Sequence, residues 1–159
     1  MNQPYFLIAE RSRGEITELD RVVDRAVSSW DHSQKHPHDR DIYLDSVALN
    51  LHSFYSGLEK IFQLVARNVD GVNLDSQTWH RDLLISLSQE YESARPALIS
   101  PEYAEQLDEF RRFRHLVRNI YTTNIQPEKM KHLLATLPVL WAGVKEECLA
   151  FARFLDQTS

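Results

Sequence analysis

Three observations predict an all-α fold, an antiparallel bundle of four or five helices. Apolar residues recur at alternating steps of three and four through most of the chain, which places them on one helical face. The composition, with four Gly, six Pro, 43% hydrophobic and 26% charged residues, suits a helical globular protein rather than a disordered one. Residues that start and stop helices also fall between the periodic runs, Ser100-Pro101-Glu102 being the best formed: a capping hydroxyl, a proline at the first turn and an acid beside the positive dipole end.

A first helix is expected from about Glu10 to His32, where Ile16, Leu19, Val23, Ala26 and Trp30 form the stripe. The segment Asp31 to Asp39 holds three of the seven histidines around Pro37 and reads as a solvated loop, because proline disfavours helix at His36 and no spacing there matches a zinc pattern. The second helix, about Asp39 to Val69, carries Leu44, Val47, Leu51, Phe54, Leu58, Ile61 and Val65 without a miss, widened by Ala48, Tyr55 and Phe62. So wide a stripe belongs in a bundle core. Gly71 supplies a stop. Asp75 or Ser76 is expected to cap a third helix with Trp79, Leu83, Leu87 and Tyr91 on one side, until Pro96 interrupts. The fourth helix starts at Pro101 and should fade near Thr122 to Asn124. Pro127 opens a fifth, with Met130, Leu133, Leu137, Leu140, Val144, Cys148, Phe151 and Leu155 in rhythm; Pro138 should kink or split it.

At 159 residues the chain reads as a single domain, 1–159, long enough for an ordinary core without disulfides or metal. The lone Cys148 sits in an apolar pattern and reads as a buried structural thiol. Tyr5 to Ala9 is too short an apolar run for a signal-peptide core and no run approaches transmembrane length, so a cytoplasmic protein with no membrane partner is expected. A formal charge of −5 argues against indiscriminate nucleic-acid binding, though a local basic face can still focus a phosphate backbone. No repeat, glycine-rich phosphate loop or metalloprotease motif is present, and neither a metal nor a cofactor is expected.

Chemistry concentrates from Phe110 to Tyr121. Arg111, Arg112, Arg114, Arg118 and His115 interleave there with Phe110, Phe113, Val117 and Ile120. At about 100° per residue the four apolar residues fall within a sector of roughly 80°. Taking Arg114 as zero, Arg118, Arg111, His115 and Asn119 follow at about 40°, 60°, 100° and 140°, with Tyr121 about 20° to the other side and Arg112 about 160° away. One helix thus presents a core face beside a cationic, hydrogen-bonding face suited to phosphate and proton transfer. A basic stripe is also commonly just a solvated face, and Glu102, Glu105, Asp108 and Glu109 upstream offer partners of little energetic weight.

The order arginine, four residues, a polar residue, one residue, tyrosine at Arg114, Asn119 and Tyr121 resembles the motif of the HepT toxins of the HEPN ribonuclease superfamily, in which the polar position is histidine. Leu51 to Phe62, Trp79-His80-Arg81-Asp82-Leu83-Leu84, Arg95-Pro96-Ala97-Leu98 and Phe113 to Tyr121 resemble a HepT-like subgroup in the same order, so the resemblance covers roughly Asp41 to Leu155. It implies a two-fold homodimer whose paired motifs line a cleft for RNA, metal-independent cleavage by attack of the 2′-hydroxyl, and a small nucleotidyltransferase antitoxin as partner that modifies the motif tyrosine with AMP. Carried onto this chain, Arg114 becomes the catalytic phosphate binder; Arg111 and Arg118, on the same helical face, are expected from their position as further RNA-phosphate contacts. Tyr121 becomes the hydrogen-bonding residue and modification site.

Asn119 departs from the pattern, since a carboxamide hydrogen-bonds but does not exchange protons near neutral pH. His115, about one turn below on the same side, is an imidazole able to substitute. Two functions therefore stand side by side: an endoribonuclease toxin using Arg114, His115 or Asn119, and Tyr121, or a catalytically silent HEPN-like module that dimerises and binds a nucleotidyltransferase or nucleic acid.

Overall fold

A computed structural model describes residues 3–119 and 126–158, with the side chains of Arg118 and Asn119 outside the description. Among the described residues the chain forms five α-helices, α1 (Tyr5–Lys35), α2 (Arg40–Asn68), α3 (Trp79–Leu87), α4 (Pro101–Asn119) and α5 (Pro127–Thr158). One contiguous core draws on all five, with Leu19, Phe54, Leu87, Phe110 and Leu137 among its buried members. The fold is an all-α bundle. Helices α1, α2 and α5 pack together, while α4 lies on α2, α3 and α5.

The stripes of α2 and α5 are buried as their spacing requires, from Leu44 to Val65 and from Met130 to Leu155. Helix α1 is longer than expected at both ends. Ile8 and Ala9 extend its stripe backward through Ser12, a polar residue only 2% exposed that masks the periodicity. At the other end the helix continues through His32, whose ring stacks on Tyr43 with centroids 5.1 Å apart, and the expected loop shrinks to a 3₁₀ turn at Pro37–Asp39.

Helix α3 is shorter than expected and does not reach Tyr91. The chain turns back, so that Leu98 N–H donates to Leu87 O at 2.8 Å, and Tyr91 instead pairs with Arg95 across a tight turn. Arg95 fills the inside of that turn. It donates to the carbonyls of Gln89 (2.9 Å) and Pro96 (3.0 Å) and holds Asp70 through two bonds of 2.7 and 2.9 Å, both side chains being essentially buried. The start of α3 also differs: Thr78, not Asp75 or Ser76, precedes the first turn, and its hydroxyl donates to Asp82 at 2.8 Å.

Helix α4 begins where Ser100-Pro101-Glu102 predicts, with Tyr103 N–H reaching Ser100 Oγ at 3.4 Å and Ser100 N–H donating to Glu147 Oε1 of α5 at 2.9 Å. An acid from a neighbouring helix thereby sits at the positive end of the α4 dipole. The expected fading of α4 at Thr122 to Asn124 lies outside the described residues. Helix α5 runs unbroken past Pro138. Proline removes the amide that would bond Leu134 O, but Pro138 and Val139 are exposed while Leu134, Leu137 and Leu140 stay buried, so the apolar stripe holds the helix together across the missing bond.

Helices α1 and α5 are also joined through Asp20, which accepts from Trp141 Nε1 and Lys145 Nζ, both at 2.8 Å. Burial raises the pKa of this carboxyl, but the two hydrogen bonds and the Lys145 charge outweigh it and hold the pKa below its ordinary value. No described helix is long and apolar enough to cross a membrane.

Candidate functional site

The site is built where α4 crosses α2 beside the start of α3. Arg114, expected on the polar face of α4, is 6% exposed and turned inward. Its Nη1 donates to Glu59 Oε1 at 2.8 Å and its Nη2 to Glu59 Oε2 at 3.1 Å, a fork-on-fork pair between two buried side chains. The guanidinium lies 5.1 Å from the centre of the Tyr55 ring, and Nη1 is 3.5 Å from Ser56 Oγ. Tyr55, Ser56 and Glu59 share one face of α2, which meets Arg114 as a cation-accepting wall.

From α3, His80 completes the cluster. Its Nδ1 stands 2.7 Å from Glu59 Oε2 and 2.9 Å from Arg114 Nη2, and Trp79 stacks on the imidazole at 3.6 Å. The His80 side chain keeps 30% of its surface exposed while Glu59 keeps 5%. The result is a buried carboxylate neutralised by arginine and touched by an imidazole that reaches solvent. Burial, then the charge of Glu59, pushes the Tyr55 phenol far above its usual range against the opposing charges of Arg114 and Arg111, so Tyr55 stays neutral. Tyr55 Oη and Arg114 Nε are buried without a hydrogen-bond partner among the described residues.

The other residues expected at the site do not join this cluster. Arg111 is largely buried and donates to Asp108 Oδ1 at 2.7 Å, while Arg112 is exposed and 3.4 Å from Asp108 Oδ2. One upstream acid therefore serves both arginines, as the solvated-face reading expects for at least one of them. The opposition of Arg112 and Arg114 across the helix does hold. His115 is exposed and lines an apolar cleft of about 590 Å³ with Phe113, Leu116, Leu133 and His132. Arg118 and Asn119 form the last turn of α4. Tyr121 lies outside the described residues.

Sequence reasoning missed Glu59 and His80. Glu59 had a signal: it falls four residues after Tyr55 and three before Phe62, inside the widened apolar stripe of α2, where an ionised side chain needs a partner. His80 lies in the Trp79 to Leu84 segment of the resemblance, but nothing local gave it a role, because its partners Glu59 and Arg114 come from helices far away in the chain. No group of three or more His, Cys, Asp or Glu among the described residues is placed to hold a metal ion.

Neither the curated proteins nor the solved structures contain a match to the chain. A family model described as HepT-like protein matches residues 46–155. That span begins in early α2, ends within the last turn of α5, and takes in Glu59, His80 and Arg114 together with Asn119 and, in the sequence, Tyr121. The cluster thus lies within the matched residues, and the chain belongs to the HepT-like family of HEPN proteins.

Proposed function

We propose that this protein is a metal-independent endoribonuclease, the toxin of a cytoplasmic toxin–antitoxin pair. Family membership across a span that includes Arg114, Asn119 and Tyr121 is the observation that carries the reading. In it, two copies of the chain pair with α4 near the two-fold axis, and RNA runs between them. Arg114 stabilises charge at the scissile phosphate, Arg111 and Arg118 bind neighbouring phosphates, and Asn119 and Tyr121 hydrogen-bond the backbone. The proton of the attacking 2′-hydroxyl passes to an imidazole, for which His115 is the candidate on the motif helix itself. The partner is a nucleotidyltransferase that silences the toxin by adding AMP to Tyr121.

One observation favours the second reading, a silent HEPN-like module that dimerises and binds a nucleotidyltransferase or nucleic acid. Arg114 spends both terminal nitrogens on Glu59, and a guanidinium so engaged has less to offer a phosphate. An RNA-cleavage assay of the purified protein with chelator present separates the two. Cleavage is expected, and none at any pH between 5 and 9 leaves the binding module. Asn119→His then serves as the second arm, because a silent module with Arg114 and Tyr121 in place should gain cleavage from that change.

A further inference from the structure

Glu59, His80 and Arg114 come from three helices, yet all three meet at a single carboxylate oxygen. Glu59 Oε2 lies 2.7 Å from His80 Nδ1 and 3.1 Å from Arg114 Nη2. An ionised carboxylate only accepts, and a guanidinium only donates. If Nδ1 were bare, its lone pair would face the Glu59 lone pairs with no proton between them at that distance. With Nδ1 protonated, one oxygen receives two donors, a normal arrangement for a carboxylate. The close approach of Nδ1 and Nη2, 2.9 Å, then follows from both leaning on the same acceptor. In the neutral ring the proton therefore sits on Nδ1 and the lone pair on Nε2, which has no hydrogen-bond partner among the described residues.

Such an arrangement has a chemical use. A carboxylate behind an imidazole fixes its tautomer, orients the ring and stabilises the cation formed when the other nitrogen takes a proton. Here Arg114 keeps the buried carboxylate from being an uncompensated charge, Trp79 stacks on the ring to limit its rotation, and about 30% of the His80 side-chain surface stays open to a substrate. The charged groups against the ring are Glu59 from α2, which accepts from Nδ1–H, and Arg114 from α4, whose Nη2 lies 2.9 Å from Nδ1 without bonding it.

We propose that His80, held by Glu59, is the general base of this site. The inference rests on the endoribonuclease reading, supplies the proton acceptor that Asn119 cannot be, and moves that role from His115, which does not join the cluster, to His80. Nε2 takes the proton of the 2′-hydroxyl as O2′ bonds to phosphorus. The bond from phosphorus to the 5′-oxygen breaks, that oxygen takes a proton from water, and His80 returns its own proton to the hydroxide left behind. The products are a 2′,3′-cyclic phosphate and a 5′-hydroxyl. Glu59 is a positioning residue in this step, and Arg114 balances its charge.

The test combines RNA cleavage in chelator with imidazole spectroscopy on the intact protein. His80→Asn retains a donor in the place of Nδ1–H but offers no base, and it is expected to lower kcat by about 100-fold or more while RNA affinity changes less than about threefold. The acid limb of the wild-type pH profile should vanish with it. Glu59→Gln should lower kcat less and shift that limb. Wild-type cleavage that survives in His80→Asn within threefold overturns the base and leaves the endoribonuclease standing. A wild-type protein silent toward RNA overturns the endoribonuclease reading and the base together. His80→Gln repeats the comparison should the asparagine variant misfold, and a long-range proton–nitrogen correlation spectrum of the wild type needs no variant. That spectrum should place the neutral ring's proton on Nδ1; a proton on Nε2 overturns the proposal.

Discussion

Arg114 illustrates why a residue can be essential to a site and still give an ambiguous mutant. Its charge is buried against Glu59, so Glu59→Ala leaves a guanidinium without a counter-ion in the interior, at a cost of about 3–5 kcal/mol. Urea unfolding should register that loss, and a change below about 1 kcal/mol would mean that the pair is not buried in solution. Arg114→Ala removes the opposite charge and should destabilise comparably, so lost activity in that variant speaks to catalysis only once its fold has been verified. The sequence held half of this. At about 40° from Phe110 on the helical wheel, Arg114 borders the apolar sector, but only the approach of α2, 55 residues earlier, turns it inward. Cys148 was fully legible from its place in the α5 stripe. Burial, aided by the charge of Glu147, pushes its thiol up to about 12 from an ordinary value of 9.0, so almost no thiolate exists near neutrality. The folded protein should resist a thiol reagent that reacts at once in denaturant. Because the folded value lies above the unfolded one, the contribution to stability is complete below pH 9.0 and is lost as pH rises toward 12.

Helices show the same division between what spacing dictates and what neighbours dictate. The runs of α2 and α5 follow directly from steps of three and four, since burial of a continuous stripe dominates over any single polar position. The ends of α1 and α3 do not. Ser12 interrupts one stripe with a hydroxyl that the packing tolerates, and Arg95 ends α3 by drawing the following turn around itself and Asp70, a contact that spans 25 residues of chain. Glycine positions carry a similar tertiary message. A Cβ at Gly143 of α5 would collide with the phenol of Tyr103 on α4, several ring atoms at once, so the two helices approach there because that residue is bare. Alanine ordinarily stabilises a helix by about 0.5–1 kcal/mol relative to glycine. Overpacking costs about 1–3 kcal/mol, so Gly143→Ala should nevertheless lower the stability by about 1 kcal/mol. A Tyr103→Phe, Gly143→Ala double variant should recover part of the loss, because the hydroxyl makes the closest contact. A rise in Tm for the single variant would show that Tyr103 swings aside freely.

At the scale of the molecule, the family match and the core have different borders. The match covers 46–155, whereas α1 lies wholly before it. Yet Ile8, Ile16, Leu19 and Val23 of α1 are buried, and Leu19 packs so closely on α2 that a Cβ at Gly57 would meet its Cδ2 at 2.7 Å. Asp20 adds the polar clasp to Trp141 and Lys145 of α5, and Ser29 bonds Ser46 of α2 at 2.8 Å. A chain beginning at Pro37 would expose the α2 and α5 side chains that α1 covers, without returning any of the entropy spent on ordering them. Each large apolar side chain so exposed costs about 1.5–3 kcal/mol, and four of them approach the whole stability of an ordinary domain, about 5–15 kcal/mol. The truncated chain is therefore expected to lose its cooperative thermal transition and to bind a hydrophobic dye, even though it retains every residue of the Glu59, His80 and Arg114 cluster. With Trp141→Phe added, Trp79 is the one tryptophan of the truncated chain, and its near-ultraviolet signal, arising where it stacks on His80, reports on the cluster separately from the bulk helix signal. Should the truncated chain melt cooperatively within a few degrees of the full one, α1 is an appendage and the site stands on the remaining four helices alone.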